Sequence, residues 1–284
     1  MNKDVKIIEC PRDAMQGLRH LIPTQTKADY INSLIKVGFD VIDFGSFVSP
    51  KHVPQMADTI NLLKLLKIKE DTSLLAIVLN EKGAVQASEF NEIKLLGYPL
   101  SISEVFQKKN SNKDIKSSLA LVDKILNICI QKDKQLLVYF SMAFGNPYGE
   151  NWDKNILFDY IRKIQNKGIG IISLADTIGN SSPDSINNIY ADASQNFPDL
   201  DIGLHLHSHP DFVYEKIQAA WFSGCRRFDV AISGYGGCPF AQDMLVGNIP
   251  TEKLLTFLAN NKIQHSIDLL AFENAYNQSR NIFK

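Results

Sequence analysis

The chain has 284 residues, of which 45% are hydrophobic and 21% are charged, and its formal net charge is −1. This length suits one large domain or two small ones, and the balanced charge argues against a general nucleic-acid binder. No apolar stretch approaches the roughly 20 residues of a membrane-spanning helix, and the N-terminus shows no apolar signal region. The four cysteines lack the paired spacing of disulfides or zinc knuckles. We therefore expect a cytoplasmic globular protein without nucleic-acid or membrane partners.

Short apolar runs alternate with longer amphipathic stretches along the chain. The runs are rich in Val, Ile and Leu with little alternation, which predicts parallel strands buried on both faces. The predicted strands are 5–10, 41–45, 74–79, 136–141, 169–176, 201–207 and 226–232. A weaker candidate at 91–96, followed by 100–103, would supply the eighth strand.

Between the strands, apolar residues recur at helical spacing. The predicted helices are 26–37, 113–131, 213–222 and 251–259, with one more from Pro183 and another from about residue 266. Gly38 is predicted to end the first of these, and Ser182 to cap the one that starts at Pro183. The run 64–70 is predicted to be the solvated face of a helix.

Eight strand–helix alternations without a linker predict an α/β fold of the (β/α)8 (TIM) barrel type, which typically needs about 250 residues. An open, doubly wound sheet is the alternative architecture. We expect a single catalytic domain over 1–284, with the barrel at roughly 5–260 and a short C-terminal helical extension at 261–284.

The sharpest local signal is the pair His205 and His207 in the seventh predicted strand. Residues i and i+2 of a strand face the same side, so both imidazoles point into the barrel. Two co-facing histidines are half of a typical metal site, although one of them could instead be a hydrogen-bonded core residue. Asp13, at the mouth of a neighbouring strand, and Asn248 would complete a nitrogen and oxygen set that suits Mg²⁺ or Mn²⁺.

Further polar residues fall where predicted strands end, which is where such a barrel carries its chemistry. Arg12 either neutralises Asp13 or holds a thioester or enolate oxygen of a substrate. Cys238 follows two glycines that permit close backbone approach to a ligand, and its thiol is either a catalytic acid or nucleophile or a small buried residue. Lys108 and Lys109 are either a solvated pair or part of an anion-binding rim. The other strand-end residues are Gln16, Asp43, Ser46, Ser141, Asn146 and Asp176.

This order of residues resembles the 3-hydroxy-3-methylglutaryl-CoA lyases, which are members of the metal-dependent lyase and synthase barrels. The resemblance runs from about residue 5 to residue 275. Its motifs are PRDAMQG (11–17), SFVSPKHVPQMAD (46–58), SEVFQKKN (103–110), NPYGE (146–150), LADTIG (174–179), HLH (205–207) and SGYGGCPFAQDMLVGN (233–248). The second and the last of these are specific to the lyases within that superfamily.

The resemblance implies a carbon–carbon lyase that cleaves 3-hydroxy-3-methylglutaryl-CoA to acetyl-CoA and acetoacetate, as in leucine degradation and ketone-body formation. It also implies a divalent cation as cofactor, Mg²⁺ or Mn²⁺, an acyl-CoA as substrate, and a possible homodimer. The implied metal ligands are Asp13, His205, His207 and Asn248. The implied catalytic residues are Cys238, Arg12, Asp43, His205 and Asp176, and the implied substrate-binding residues are Arg12, Gln16 and Ser46.

The same resemblance also implies which residue stabilises the enolate and which residues transfer protons. Arg12 would stabilise the thioester enolate, and Cys238 would return a proton to its carbon. His205 or Asp43 would remove the hydroxyl proton; a metal-bound nitrogen cannot also accept a proton, which favours Asp43 or a bound water. Asp43 stands where the family usually has Glu, Ala14 stands where it has Gly, and the segment 208–211 departs from the family pattern.

Two alternatives remain open from the sequence. One is a related barrel lyase, aldolase or acyl-CoA condensing enzyme that acts on another 3-hydroxyacyl-CoA or on a 2-oxo acid. The other is a non-catalytic barrel that binds CoA esters or a metal for regulation.

Overall fold

A computed structural model describes residues 4–237 and 246–283. The strands are β1 (Lys6–Glu9), β2 (Val41–Ser46), β3 (Ser73–Ile77), β4 (Ile93–Ser101), β5 (Gln135–Ser141), β6 (Ile171–Asp176), β7 (Asp201–Ser208), β8 (Arg227–Val230) and β9 (Gly247–Asn248). The helices are α1 (Pro11–Gln16), α2 (Thr24–Val37), α3 (Thr59–Leu63), α4 (Glu81–Ser88), α5 (Glu104–Ser111), α6 (Ile115–Gln131), α7 (Lys154–Gln165), α8 (Pro183–Asn196), α9 (Val213–Phe222), α10 (Thr251–Asn260) and α11 (Leu269–Ile282). Within these two ranges, no helix is long and apolar enough to cross a membrane.

The strands β1 to β8 close into one parallel barrel. Each pairs with its neighbour in chain order, and β8 pairs back with β1, where Lys6 lies opposite Arg227. This closure confirms the predicted (β/α)8 barrel and excludes an open sheet, since an open sheet leaves its edge strands unpaired. The short strand β9 lies antiparallel to the end of β7 and sets Asn248 opposite His207.

The uncertain eighth strand is one continuous strand, β4, and not two pieces. It pairs with β5 over its last seven residues, from Leu95 to Ser101. Gly97, which interrupts the apolar pattern, lies where an added Cβ would come within 2.6 Å of the Ile77 side chain and 3.2 Å of the Tyr139 ring. A small residue is therefore required by packing inside the barrel, which is why this strand has a weak sequence signal.

The helix ends agree with the predicted capping residues. Gly38 follows α2 with a φ of 86°, the left-handed conformation that glycine adopts at little cost. The Ser182 hydroxyl accepts a hydrogen bond from the Ser185 amide at the start of α8. The helix α11 packs against α2 on the outside of the barrel. The division into a barrel and a C-terminal extension stays a prediction.

The prediction of a helix over 64–70 was wrong, because α3 ends at Leu63. The side chain of Asn32 on α2 donates to the Leu65 carbonyl oxygen at 3.0 Å and accepts from the Lys67 amide at 2.7 Å. These bonds take up backbone groups that a helix would use internally, so the chain leaves the helix here.

Apolar side chains fill the space between the strands and the helices and also the barrel interior. The interior set is Ile8, Cys10, Leu75, Ile77, Leu95, Leu137 and Tyr139. This filling closes the middle of the barrel beneath the carboxyl-terminal ends of the strands, where a barrel of this type carries its chemistry.

Candidate active site

A cavity of about 260 Å³ opens at the carboxyl-terminal end of the barrel. On the side of β1 and β7 it is lined by Arg12, Asp13, His205 and His207. The side of β3, β4 and β5 is largely apolar and is lined by Ile77, Leu79, Pro99, Phe106 and Tyr139. A cavity with charged groups on one side and apolar groups on the other is typical of a site for an organic ligand that carries polar and apolar parts.

Arg12, the second residue of α1, lies between two carboxylates. Its Nε donates to both oxygens of Asp43, at 3.1 and 3.0 Å, and its Nη2 donates to Asp43 Oδ2 at 2.5 Å. Its Nη1 donates to Asp13 Oδ1 at 3.2 Å and to Gln16 Oε1 at 2.9 Å. Of the five guanidinium N–H groups, one on Nη2 thus has no partner among the described residues.

The two carboxylates beside Arg12 differ in their surroundings. Asp43 is fully buried; burial raises its pKa to about 6, although the charge of Arg12 opposes this. For Asp13, burial alone would raise the pKa, but Arg12 and the two histidines lower it to about 2. Both are therefore ionised at neutral pH, and the single guanidinium of Arg12 neutralises only one of these two negative charges.

Three further side chains converge on Asp13. Ligating atoms of Asp13, His205 and His207 lie within 4.8 Å of one another. Asn248 donates from Nδ2 to Asp13 Oδ2 at 2.7 Å and to the Tyr235 carbonyl oxygen at 2.8 Å, which leaves its Oδ1 as a free acceptor.

Two buried atoms of this group have no hydrogen-bond partner within the described part of the chain: Asn248 Oδ1 and His207 Nε2. The His207 Nδ1 lies 3.1 Å from the Thr177 carbonyl oxygen, so Nδ1 carries the hydrogen and Nε2 carries the lone pair. Buried polar atoms are rarely left unpaired, and here both are ligand types for a divalent cation. The donor set therefore fits the cation that the sequence predicts.

The two histidines differ in what holds them. His205 Nδ1 lies 3.2 Å from Oδ2 of Asp229 on β8. Burial alone would lower the pKa of His205, but the hydrogen bond and charge of Asp229, together with the charge of Asp13, raise it. Burial and the neighbouring His205 lower the pKa of His207. His205 is thus the more basic ring, and it lines the cavity.

The carboxylate of Asp176 is fully engaged with its own loop. It accepts hydrogen bonds from the amides of Asn180 and Ser181, from the Ser181 hydroxyl, and from Lys216 Nζ at 2.9 Å. The next residue, Thr177, lines the cavity and holds His207. The structure thus gives Asp176 a part in shaping this loop, while its catalytic role stays a prediction.

The glycines before Cys238 bring the backbone against the site. Gly236 has a φ of 97°, and a Cβ added to it would lie 2.7 Å from Asn248 Nδ2 and 2.9 Å from the Asp13 carbonyl oxygen. Any side chain here would displace a candidate ligand, so glycine is required. Cys238 itself lies outside the described residues, and its role as proton donor stays a prediction.

The remaining predicted residues divide between the cavity and its surroundings. Gln16, Ser46 and Ser141 line the cavity. Lys108 forms an ion pair with Glu104 on the same helix, whereas Lys109 lies at the edge of the cavity.

Two stretches expected near the site do not line it. Asn146 accepts from the amides of its own loop through Oδ1 and donates to a carbonyl oxygen of that loop through Nδ2. The departing segment 208–211 also lies outside the cavity lining, with an exposed Asp211. The departure from the family pattern after His207 therefore leaves the candidate ligands in place.

The sequence reasoning missed four residues that shape the site: Thr177, Lys216, Asp229 and Tyr235. Two of them had a signal. Asp229 is a lone acid in an apolar strand, and Lys216 occupies a core-facing position of its helix. Thr177 and Tyr235 act through backbone carbonyl oxygens, which no residue type marks.

The fold and the site together define a barrel enzyme with a candidate divalent-cation centre at the carboxyl-terminal end of its strands. The family described as HMGL-like matches residues 5–278. The mitochondrial hydroxymethylglutaryl-CoA lyase of Bos taurus is 33% identical over 270 residues, which cover 94% of this chain and 82% of that protein. The 3-hydroxy-3-isohexenylglutaryl-CoA/hydroxymethylglutaryl-CoA lyase of Pseudomonas aeruginosa is 30% identical, covering 96% of this chain and 91% of that one.

Solved structures agree with these relatives. An HMG-CoA lyase from Acinetobacter baumannii in complex with coenzyme A and 3-methylmalate superposes with a TM-score of 0.91 at 31% identity, covering 98% of this chain and 91% of that chain. The Bacillus subtilis HMG-CoA lyase superposes with a TM-score of 0.93 at 29% identity, covering 99% and 94%. The chain belongs to the HMGL-like family and is a carbon–carbon lyase.

Proposed function

We propose that this protein cleaves 3-hydroxy-3-methylglutaryl-CoA to acetyl-CoA and acetoacetate in a retro-Claisen reaction, with Mg²⁺ or Mn²⁺ as cofactor. The observation that carries the proposal is the convergence of Arg12, Asp13 and two unpaired buried atoms, His207 Nε2 and Asn248 Oδ1, at one side of the cavity. The names of the relatives, and the coenzyme A in the Acinetobacter complex, support an acyl-CoA substrate.

Asp13, His205, His207 and Asn248 would hold the cation, and the cation when bound would supply Lewis acidity that lowers the pKa of the substrate's tertiary hydroxyl. The surrounding contacts keep the ligand atoms ready. Thr177 fixes the ring of His207, and the two hydrogen bonds from Asn248 Nδ2 fix the direction of its Oδ1. Such outer contacts orient ligands before a cation binds.

Arg12 would bind the thioester oxygen through its remaining Nη2 hydrogen. When the carbon–carbon bond breaks, negative charge develops on that oxygen, and a fixed guanidinium stabilises it at little reorganisation cost. Asp43 supports this role, because both of its oxygens bind Arg12 in a bidentate pair that fixes the guanidinium plane.

Of the two side chains predicted as base, His205 lines the cavity and Asp43 does not. We therefore assign proton uptake from the hydroxyl to His205 and the orientation of Arg12 to Asp43. Because one nitrogen cannot both hold a cation and accept a proton, Asp13, His207 and Asn248 would be the residues that hold the cation when His205 Nε2 serves as the base. Cys238 would then protonate the enolate carbon, and proton exchange with solvent would return the thiolate to the thiol and His205 to its neutral form.

The coenzyme A portion would leave the cavity past Lys109, whose ammonium group lies at the edge and could bind a phosphate. The ammonium also lies 4.5 Å from the centre of the Tyr148 ring, which restrains its position.

The proposal is tested by incubating the purified protein with 3-hydroxy-3-methylglutaryl-CoA and Mg²⁺ or Mn²⁺ and measuring acetoacetate. We expect turnover that chelation abolishes. Arg12→Gln should lower kcat by about 10²–10³-fold, the usual cost of removing one group that stabilises a developing oxyanion. Arg162→Gln, on the exposed face of α7, is the matched control and should leave kcat unchanged. Absence of acetoacetate above background in the wild type would contradict the proposal.

A second candidate is the same reaction on a substrate with a larger group at carbon 3. The Pseudomonas relative is named for both a 3-isohexenyl and a 3-methyl substrate. The apolar side of the cavity could take up such a chain. Comparing kcat/KM for the two CoA esters separates the candidates, while turnover of another 3-hydroxyacyl-CoA without acetoacetate would favour a different lyase, aldolase or condensing enzyme of the same barrel class.

The cellular setting is also part of the proposal. Relatives named as mitochondrial and as cytoplasmic both occur, and we propose the cytoplasm. Acetoacetate as product would fit leucine degradation and ketone-body formation. A homodimer is proposed as well, and light scattering on the purified protein measures it.

A further inference from the structure

Below the floor of the cavity lies a buried acid, Asp229, to which the proposed chemistry gives no role. Asp229 belongs to β8 and is only 2% exposed. One carboxylate oxygen, Oδ2, lies 3.2 Å from His205 Nδ1. The other, Oδ1, is buried and has no hydrogen-bond partner among the residues described. A buried carboxylate with one unpaired oxygen lowers the stability of the fold, and such departures concentrate at functional sites.

The position of Asp229 relative to His205 is set by the barrel itself. In the parallel pairing of β7 with β8, His205 lies opposite Asp229, and in the pairing of β8 with β1, Asp229 lies opposite Ile8. Both side chains therefore leave neighbouring, fully paired strands toward the barrel interior. A contact held by the register of a closed barrel is more rigid than one made from a loop.

The surroundings leave Asp229 as the acceptor for this ring nitrogen. The Tyr139 ring packs edge-on against the His205 ring, with centroids 5.7 Å apart, and restricts its plane. The Cys10 thiol, which lies close to both residues, donates instead to the Ile8 carbonyl oxygen at 3.7 Å. Among the described side chains, only Asp229 accepts a hydrogen bond from His205.

The neighbouring His207 provides an internal comparison. Its Nδ1 is held by a neutral backbone carbonyl oxygen, whereas His205 Nδ1 is held by a carboxylate. A carbonyl oxygen fixes the tautomer; a carboxylate fixes it and also stabilises a positively charged ring. The two histidines of one strand are thus prepared for different tasks.

We propose that Asp229 is the positioning residue of His205: it accepts the Nδ1 hydrogen, keeps the lone pair on Nε2, and holds Nε2 toward the cavity. The proposal rests on the proposed function, since both roles given to His205, cation ligand and proton acceptor, use Nε2. Asp229 touches neither substrate nor cation and acts through the ring. This is the arrangement of a base oriented by a third group.

The first test is spectroscopic and independent of turnover. In full-length protein labelled with ¹⁵N-histidine and kept free of Mn²⁺, ring-nitrogen correlations should show His205 and His207 both protonated at Nδ1. In Asp229→Ala, His205 should acquire a population protonated at Nε2, while the signals of His207 stay as in the wild type. Asp201→Ala is the matched control, because it removes a carboxylate from the amino-terminal end of β7, the strand that carries both histidines. It should change neither ring.

The second test is kinetic. Asp229→Ala should lower kcat by about 10–100-fold, the usual effect of removing the group behind a ligating or basic histidine, with KM little changed. Asp229→Asn keeps the side-chain volume and should also lower kcat, so the test stands if the alanine variant fails to fold. Asp201→Ala should retain the wild-type kcat.

Two results would overturn the inference: an unchanged His205 tautomer with a wild-type kcat in both Asp229 variants, or equal disturbance of His205 and His207. If the wild type produces no acetoacetate, the proposed function fails, and the spectra still decide whether Asp229 positions the ring.

Discussion

The two ends of this barrel differ in whether their buried polar groups have hydrogen-bond partners. At the amino-terminal end, Arg227 donates from Nε to Asp201 Oδ1 at 3.0 Å, from Nη1 to the Ser173 hydroxyl at 3.2 Å, and from Nη2 to the carbonyl oxygens of Asp201 and Ile172. The guanidinium lies directly on Gly203, where a Cβ would come within 2.7 Å of Arg227 Cζ. At this end the side chains close the barrel, and the Arg227 guanidinium is paired with Asp201.

At the carboxyl-terminal end, Arg12 is bound as firmly, yet polar atoms of His207, Asn248 and Asp229 stay buried without partners in the described ranges. Unpaired buried polar atoms lower the free energy of unfolding unless a ligand forms the missing hydrogen bonds or coordination bonds. The paired groups at the amino-terminal end therefore contribute to stability, whereas the unpaired atoms at the carboxyl-terminal end are suited to binding a ligand. Changes at the first should affect unfolding, and changes at the second should affect turnover.

The largest effect on turnover is expected from replacing Cys238, with Cys225 as the comparison. Cys238→Ala should lower kcat by about 10²–10⁴-fold, the range for loss of a general acid. Cys225→Ala is the matched control at the amino-terminal end, where the buried thiol donates to the Arg227 carbonyl oxygen. It should keep the wild-type kcat and lower only the free energy of unfolding. Steady-state assays and urea unfolding of both variants measure this, and a Cys238→Ala enzyme with full turnover would refute the proton-donor role.

The next effect concerns stability alone. Arg227→Met should lower the free energy of unfolding by about 3 kcal/mol, because it leaves the paired groups at the closed end without their donor. Lys6→Met removes an exposed partner of the same acid, Asp201, and should cost at most about 1 kcal/mol. Urea unfolding gives both values. Loss of turnover in folded Arg227→Met would break the separation between the two ends.

The smallest effect concerns the pH dependence of stability and tests Glu9, a buried acid near the carboxyl-terminal end whose two oxygens both have hydrogen-bond partners. Glu9 accepts from the Ile232 amide at 2.8 Å and from the Thr251 hydroxyl at 2.6 Å, and so joins the two sides of segment 233–250. Burial raises its pKa from 4.5 to about 8. Between those pH values the folded chain keeps a proton that the unfolded chain has released, so stability falls as pH rises and levels off above pH 8.

For Glu9, this linkage amounts to about 2 kcal/mol between pH 6 and pH 8. Glu9→Gln can accept from the Ile232 amide through its side-chain oxygen and donate from Nε2 to the Thr251 hydroxyl oxygen without ionising, so its unfolding free energy should lack that part of the decline. Urea titrations of wild type and variant at pH 6, 7 and 8 measure the difference. Parallel pH slopes would show that Glu9 is ionised in the folded protein.

Much of the fold could be predicted from residue patterns because those patterns are local. The buried strands were visible as Val-, Ile- and Leu-rich runs, and Gly38 and Ser182 marked the end of one helix and the start of another, where their chemistry requires. The helix predicted over 64–70 was wrong for a non-local reason. The side chain of Asn32, which lies 33 to 35 residues earlier, hydrogen-bonds to the backbone of this segment.

The candidate site divides along the same line. Strand parity and backbone freedom are properties of a few adjacent residues. Residue patterns were therefore enough to predict that His205 and His207 share a face, that Asp13 follows a strand end, and that glycines precede Cys238. Which acid binds which basic side chain depends instead on contacts between distant parts of the chain. Asp43 lies 31 residues from Arg12, and Asp229 lies 24 residues from His205. Those pairs depend on the register of neighbouring strands in a closed barrel, and that register is set by packing around the whole ring of strands.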